Sequence, residues 1–208
     1  MKAVGALLIL LASLTGLAAC GVEVEGGADV RASSQPAYGD TFIEASIGDI
    51  QGLVPNITSD GTSHEVGNLI YSGLVKRDKN LSLVPDLAQS WEISKDCLSL
   101  TFQLRKDVKW HDGRPFTAED VRFTYETMIH PKTPTAYKED FLAVNAVEIL
   151  DPATVRITYP KPYAQTVESW GMWMLPKHLL EPYVREGKLR EAPQNRRPVG
   201  NGPYRFVE

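Results

Sequence analysis

Leu98, Leu100, Phe102 and Leu104 alternate with Ser99, Thr101, Gln103 and Arg105. The same period of two runs back through a Ser94-Lys95-Asp96-Cys97 turn into Trp91 and Ile93, which alternate with Ser90 and Glu92. This pattern predicts a hairpin with one buried and one wet face. A second hairpin is predicted where Val147 and Ile149 lead to an Asp151-Pro152 turn, after which Val155, Ile157 and Tyr159 alternate with Thr154, Arg156 and Thr158. Between the two the period becomes helical. Thr117 is the expected N-cap, and Glu119 and Asp120 sit at the positive end of the helix dipole. Ala118, Val121, Tyr125 and Met128 form the buried stripe, and Pro131 and Pro134 end it. Trp110-His111-Asp112-Gly113, just before this helix, reads as a tight turn.

Outside this block the pattern is weaker. Thr41–Ile47 is a plausible strand, Gly48 to about Thr62 a polar loop, and Ser63–Tyr71 a helix carrying Val66, Leu69 and Ile70 at helical spacing. Residues 163–186 read as helical pieces broken at Pro176 and Pro182, and 187–198 as a polar, basic loop. Gly202–Val207 reads as a strand entering another sheet. Strands and helices interleave, so the expected class is α/β, in mixed α+β form.

The first residues change the picture of where the chain works. Lys2 precedes an apolar run from Ala3 to Leu14, too short to span a bilayer stably, and Leu17-Ala18-Ala19-Cys20 looks like a bacterial lipobox. Residues 1–19 are then a signal peptide and Cys20 the lipidated residue, because a thiol is the strong nucleophile at neutral pH. The alternative is an ordinary secretory signal with an incidental cysteine. Residues 20–40 lack periodicity and read as a tether. Stable anchoring takes more than one lipid chain.

Composition mostly excludes. With 22 basic against 26 acidic side chains and no basic run beyond two residues, no nucleic-acid partner is expected. Only Cys97 remains beside Cys20, so no internal disulfide is expected. His64, His111, His130 and His178 are scattered without metal-ligand spacing, and each reads as a surface or packing histidine. No nucleophile elbow or phosphate loop is present. Catalytic residues, metal and cofactor are all expected to be none, although paired carboxyls facing each other across a cleft leave no mark in a sequence.

Six segments in register carry a resemblance: Leu69–Val75, Leu83–Trp91, Phe102–Lys106, Lys109–Val121, Leu175–Leu179 and Pro198–Tyr204. In this order, over about residues 41–208, the chain strongly resembles the extracellular solute-binding proteins, family 5, the dipeptide and oligopeptide receptors of ABC importers. Cys97 stands where relatives often have Gly, and Asn201 where Thr is usual. The resemblance implies a two-lobed receptor of the class II periplasmic-binding type that closes on its ligand. It places the start of lobe I at 41–75, a small inserted α+β domain at 76–176 and the return to the main sheet of lobe I at 177–208. Family members are much longer, so the first lobe alone is expected, with the second missing.

The resemblance also implies a site. Ser59, Asp60 and Gly61 match an extended segment beside the ligand, Tyr137 matches a position that contacts peptide in some relatives, and Trp170 and Trp173 stand where they could line the cleft. Each has a plainer reading, a loop for Ser59–Gly61 and core packing for the aromatics. The implied protein is a monomeric, non-enzymatic lipoprotein that delivers peptides to a membrane permease from the periplasm or cell exterior. Nickel complexes or oligosaccharides are alternative ligands, and a truncated lipoprotein that binds nothing is the alternative of a different class.

Overall fold

Both predicted hairpins form, and they join. The computed structural model describes residues 43–207; the expected signal peptide, Cys20, the tether, and Thr41 and Phe42 of the expected first strand lie outside them. Two short strands, β1 (Val75–Arg77) and β2 (Leu83–Pro85), pair antiparallel as a separate ribbon. The main sheet is built from β3 (Ala88–Ile93), β4 (Ser99–Leu104), β5 (Ala146–Asp151) and β6 (Thr154–Thr158). All its pairings are antiparallel and its order is β3-β4-β6-β5. The central strands carry the core: Leu100, Phe102, Val155 and Ile157 are fully buried. The edge strands are not so covered, and Ile93 on β3 is exposed. Cys97 in the first turn has φ +57°, a conformation that favours glycine.

Helix α1 (Gly61–Ile70) precedes the strands. Helix α2 (Ala118–Ile129) packs on β5 and β6, presenting Ala118, Val121 and Met128 to the core as expected, with Tyr125 partly buried. The short helix α3 (Glu139–Leu142) places Phe141 edge-on to Trp170, with ring centroids 5.5 Å apart. Helix α4 (Lys177–Glu186) belongs to a smaller core containing Val54, Ile57, Phe123, Leu175, Leu180 and Val184.

Asp120 does more than face a helix dipole. It accepts hydrogen bonds from the Thr117 N–H (3.0 Å), the Lys177 N–H (3.1 Å) and the Trp110 indole N–H (3.4 Å). One nearly buried carboxylate therefore ties together the starts of α2 and α4 and the turn before α2. Burial pushes this carboxyl above its ordinary pKa, against the three donors that favour its charge.

Several expectations are overturned. Residues 43–47 form no strand, and Ile43 and Ile47 are exposed, because no described strand lies beside them to complete a ladder. Gly202–Val207 is likewise no strand; its Gly202 and Tyr204 N–H groups bond the end of α1 instead. The first helix starts at Gly61, two residues before the expected Ser63, because Asp60 supplies the cap. The loop before it is not uniformly polar: Leu53, Val54, Asn56 and Ile57 are buried, with a 3-10 turn at Pro55–Ile57. Pro182 does not break α4. Its missing N–H costs one helical bond, but Leu180 and Val184, either side of it, are anchored in the smaller core. The stretch 187–198 contains two 3-10 turns, Leu189–Glu191 and Pro193–Asn195. The ribbon of β1 and β2 and the helix α3 were not foreseen.

Candidate functional site

Asp60 sets the geometry. Its backbone is extended, and its Oδ1 accepts the Ser63 N–H at 2.8 Å, capping α1. His64 and Asn68 follow at four-residue intervals, so all three project from one face of the helix start. His64 Nε2 lies 3.0 Å from the Thr58 carbonyl and 3.1 Å from the Tyr137 hydroxyl. One proton on the ring can serve this triangle in two ways. Either Nε2–H donates to Thr58, or the proton sits on Nδ1 and the tyrosine donates to Nε2. Desolvation, and then the nearby Asp60 carboxylate, raise the Tyr137 hydroxyl above its ordinary pKa, so it stays a donor. Asp60 itself is held below the usual range: the Ser63 N–H and hydroxyl outweigh the desolvation that opposes them.

Trp173 closes the group. Its indole N–H donates to Asn68 Oδ1 at 2.9 Å, and its ring lies 5.0 Å from that of His64. Its carbonyl accepts the Asn56 amide at 3.1 Å. The residue is thus held at its ring N–H and at its backbone carbonyl. His64, Tyr137, Asp140, Glu168 and Trp173 line an open cleft of about 330 Å³. Trp173, Asn68 and Glu168 also border a larger cleft of about 800 Å³ that runs past Tyr71, Lys109 and Asn201. Its charged rim is largely paired: Lys76 with Asp86 (3.2 Å), Arg105 with Asp107 (2.9 Å), and Arg77 with Glu168.

Tyr137 and Trp173 therefore line one cleft, while the fully buried Trp170 is core. Tyr137 and Trp173 touch through His64, which the sequence reading treated as packing. Asp60 is near, its side chain engaged in capping. Ser59 is exposed, and its backbone groups receive no bond from the described residues. Gly61 is the first helical residue rather than part of an extended segment, and a Cβ there would meet nothing within 4 Å. His64 and Asn68 were missed, although their spacing from Asp60 marks them as one helix face. Asp140 has no such signal, because α3 is too short to show a period.

A seam closes the far side of α1. The Gly202 and Tyr204 N–H groups donate to the Ile70 and Leu69 carbonyls at 2.8 and 2.9 Å, supplying the acceptors at the helix end. Asn201 Oδ1 accepts the Ser72 N–H at 3.0 Å. His111 accepts the Gly200 N–H on Nδ1 (3.3 Å), so its proton is on Nε2, which donates to the Gly202 carbonyl at 2.9 Å. Asn201 thus bonds the seam directly, and does not merely occupy a bend.

Known proteins resemble this chain in sequence and fold. Residues 82–208 match the family described as bacterial extracellular solute-binding proteins, family 5 Middle. Heme-binding protein A of Haemophilus influenzae is 32% identical over 227 aligned residues, covering 98% of this chain and 41% of that protein. The oligopeptide-binding protein AppA of Bacillus subtilis is 28% identical over 206 residues, covering 96% and 37%. Its crystal structure with a nonapeptide superposes with TM-score 0.71 over 78% of this chain and 33% of that one. The crystal structure of NikZ from Campylobacter jejuni in complex with Ni(L-His) gives TM-score 0.69 at 42% identity, over 77% and 31%. This chain spans about a quarter to two-fifths of the length of the curated relatives it matches. With its family region matched over more than half its length and its mixed α/β fold shared with periplasmic binding proteins, the chain belongs to the bacterial extracellular solute-binding proteins, family 5.

Proposed function

We propose that this chain supplies one face of a peptide receptor that serves an ABC permease outside the cytoplasmic membrane. The observation that carries this reading is the convergence of His64, Tyr137 and Trp173 on an open cleft beside the extended backbone at Thr58–Asp60. An extended peptide gains affinity from main-chain hydrogen bonds and specificity from side-chain pockets. Ser59 offers backbone groups not used by the described residues, and the cleft offers the pocket. Ser59, Asp60, Gly61, Tyr137 and Trp173 are the proposed peptide contacts, joined by His64. In this reading the protein is a monomeric receptor rather than an enzyme and needs no cofactor. It has a small domain at 76–176 and is held at the membrane by lipid on Cys20 through residues 20–40.

Nickel–histidine is the second reading, favoured by the 42% identity to a protein crystallised with Ni(L-His). Calorimetry on the product of the complete reading frame that carries this chain separates the two. A mixed tripeptide pool is expected to bind with micromolar affinity, weakened at least about tenfold by Y137A, whose loss removes a polar contact and part of the pocket wall. Heat with nickel–L-histidine alone supports the second reading, and saturation by neither sinks both. Residues 21–208 alone are expected to give weak heat, because a single face encloses little of a ligand.

A further inference from the structure

The smaller cleft has a chemical bias. Its wall contains two acidic residues, Asp140 and Glu168, the aromatic residues Trp173 and Tyr137, Met172, and no lysine or arginine. Glu168 is shared with Arg77, which lines the larger cleft. Asp140 is partly buried and forms no ion pair with the described residues. Just behind the wall, Asp60 adds a third carboxylate, close enough to act on both His64 and Tyr137. His64 is the one basic group in the wall, and its Nε2 is engaged with Thr58 and Tyr137.

From this we infer that the cleft is a subsite for a cationic side chain, lysine or arginine, whose alkyl stem lies along Met172 and Trp173 while its charge faces Asp140. An ammonium or guanidinium is attracted to an aromatic face, most strongly to tryptophan. Here the indole is already fixed by Asn68 and His64, so little orientational freedom is lost on binding. A carboxylate on the ligand would face Asp140, with Asp60 behind it, and no lysine or arginine in the wall. A neutral aliphatic side chain would gain the apolar contact but leave Asp140 without a partner.

The inference rests on the peptide reading, and its test keeps the two apart. Calorimetry on the same full-length protein compares tripeptides that differ only in arginine, its neutral isostere citrulline, or glutamate. Arginine is expected to bind about tenfold more tightly than citrulline, glutamate most weakly, and the arginine preference to shrink as salt rises. D140N should bring the arginine-to-citrulline ratio close to one, and W173L should lower the ratio in part. Equal affinity for all three peptides in the native protein overturns the subsite and leaves the peptide reading standing. A preference that survives D140N overturns the assignment to this cleft. If no peptide binds at all, the subsite and the reading fall together.

Discussion

The four-stranded sheet and the seam beside α1 are held by opposite means. In the sheet, Leu100, Phe102, Val155 and Ile157 are fully buried along two adjacent strands, and apolar burial does most of the work. In the seam, backbone lies directly on backbone: residues 200–204 run against the end of α1, fastened by His111, Asn201 and the carbonyls of Leu69 and Ile70. A sheet core tolerates some change of shape if volume is kept. A backbone contact tolerates none, because no rotamer exists to move aside. The candidate site shares helix α1 with the stiffer and less forgiving arrangement.

That contrast can be broken in the sheet first. Phe102→Ala should destabilise by about 4 kcal/mol, seen as a shifted urea midpoint, because it opens a cavity beside Trp91 and Trp170. An effect under about 1 kcal/mol would mean the sheet is not the main core. In the seam, Gly200→Ala should cost about 2–3 kcal/mol, since a Cβ would overlap the Ile70 carbonyl. Gly61→Ala on the same helix is its control and should stabilise by about 0.5 kcal/mol, because the position is open and the unfolded chain loses freedom. Equal responses of the two glycines would erase the distinction.

The smallest effect concerns acid. Desolvation works against it, but the hydrogen bond and charge of His178, 2.6 Å away, hold Asp112 below its ordinary value of 3.8. A depressed carboxylate contributes stability above its unfolded pKa and loses it as pH falls through the folded value. Asp112→Asn should therefore flatten the fall of stability below about pH 3.8; an unaltered acid limb would show that the pair contributes nothing.

Legibility divides along the same line. Both hairpins, the capped helix and most of its buried stripe were visible because their causes are local: period two, period 3.6, and a cap three residues from its donor. The two strands expected at residues 41–47 and 202–207 were drawn from alternation without a partner, and a ladder needs two sides. Pro182 was misread as a break because propensity knows nothing of the core that holds Leu180 and Val184. In the site, Tyr137 and Trp173 came from the resemblance. His64 between them was lost, since the contact joins positions 73 and 109 residues apart, which no local pattern records. Asp120 was seen as a helix-start acid, and its reach to Lys177 was not.

The seam also sets a timetable. The last carbonyls of α1 find their partners in Gly202 and Tyr204, about 130 residues further along the chain. At ordinary rates of synthesis, that interval is on the order of ten seconds. Throughout it the helix carrying Asp60, His64 and Asn68 has a finished beginning and an unfinished end. A newly made chain therefore spends its first moments with the face that carries the candidate site unassembled.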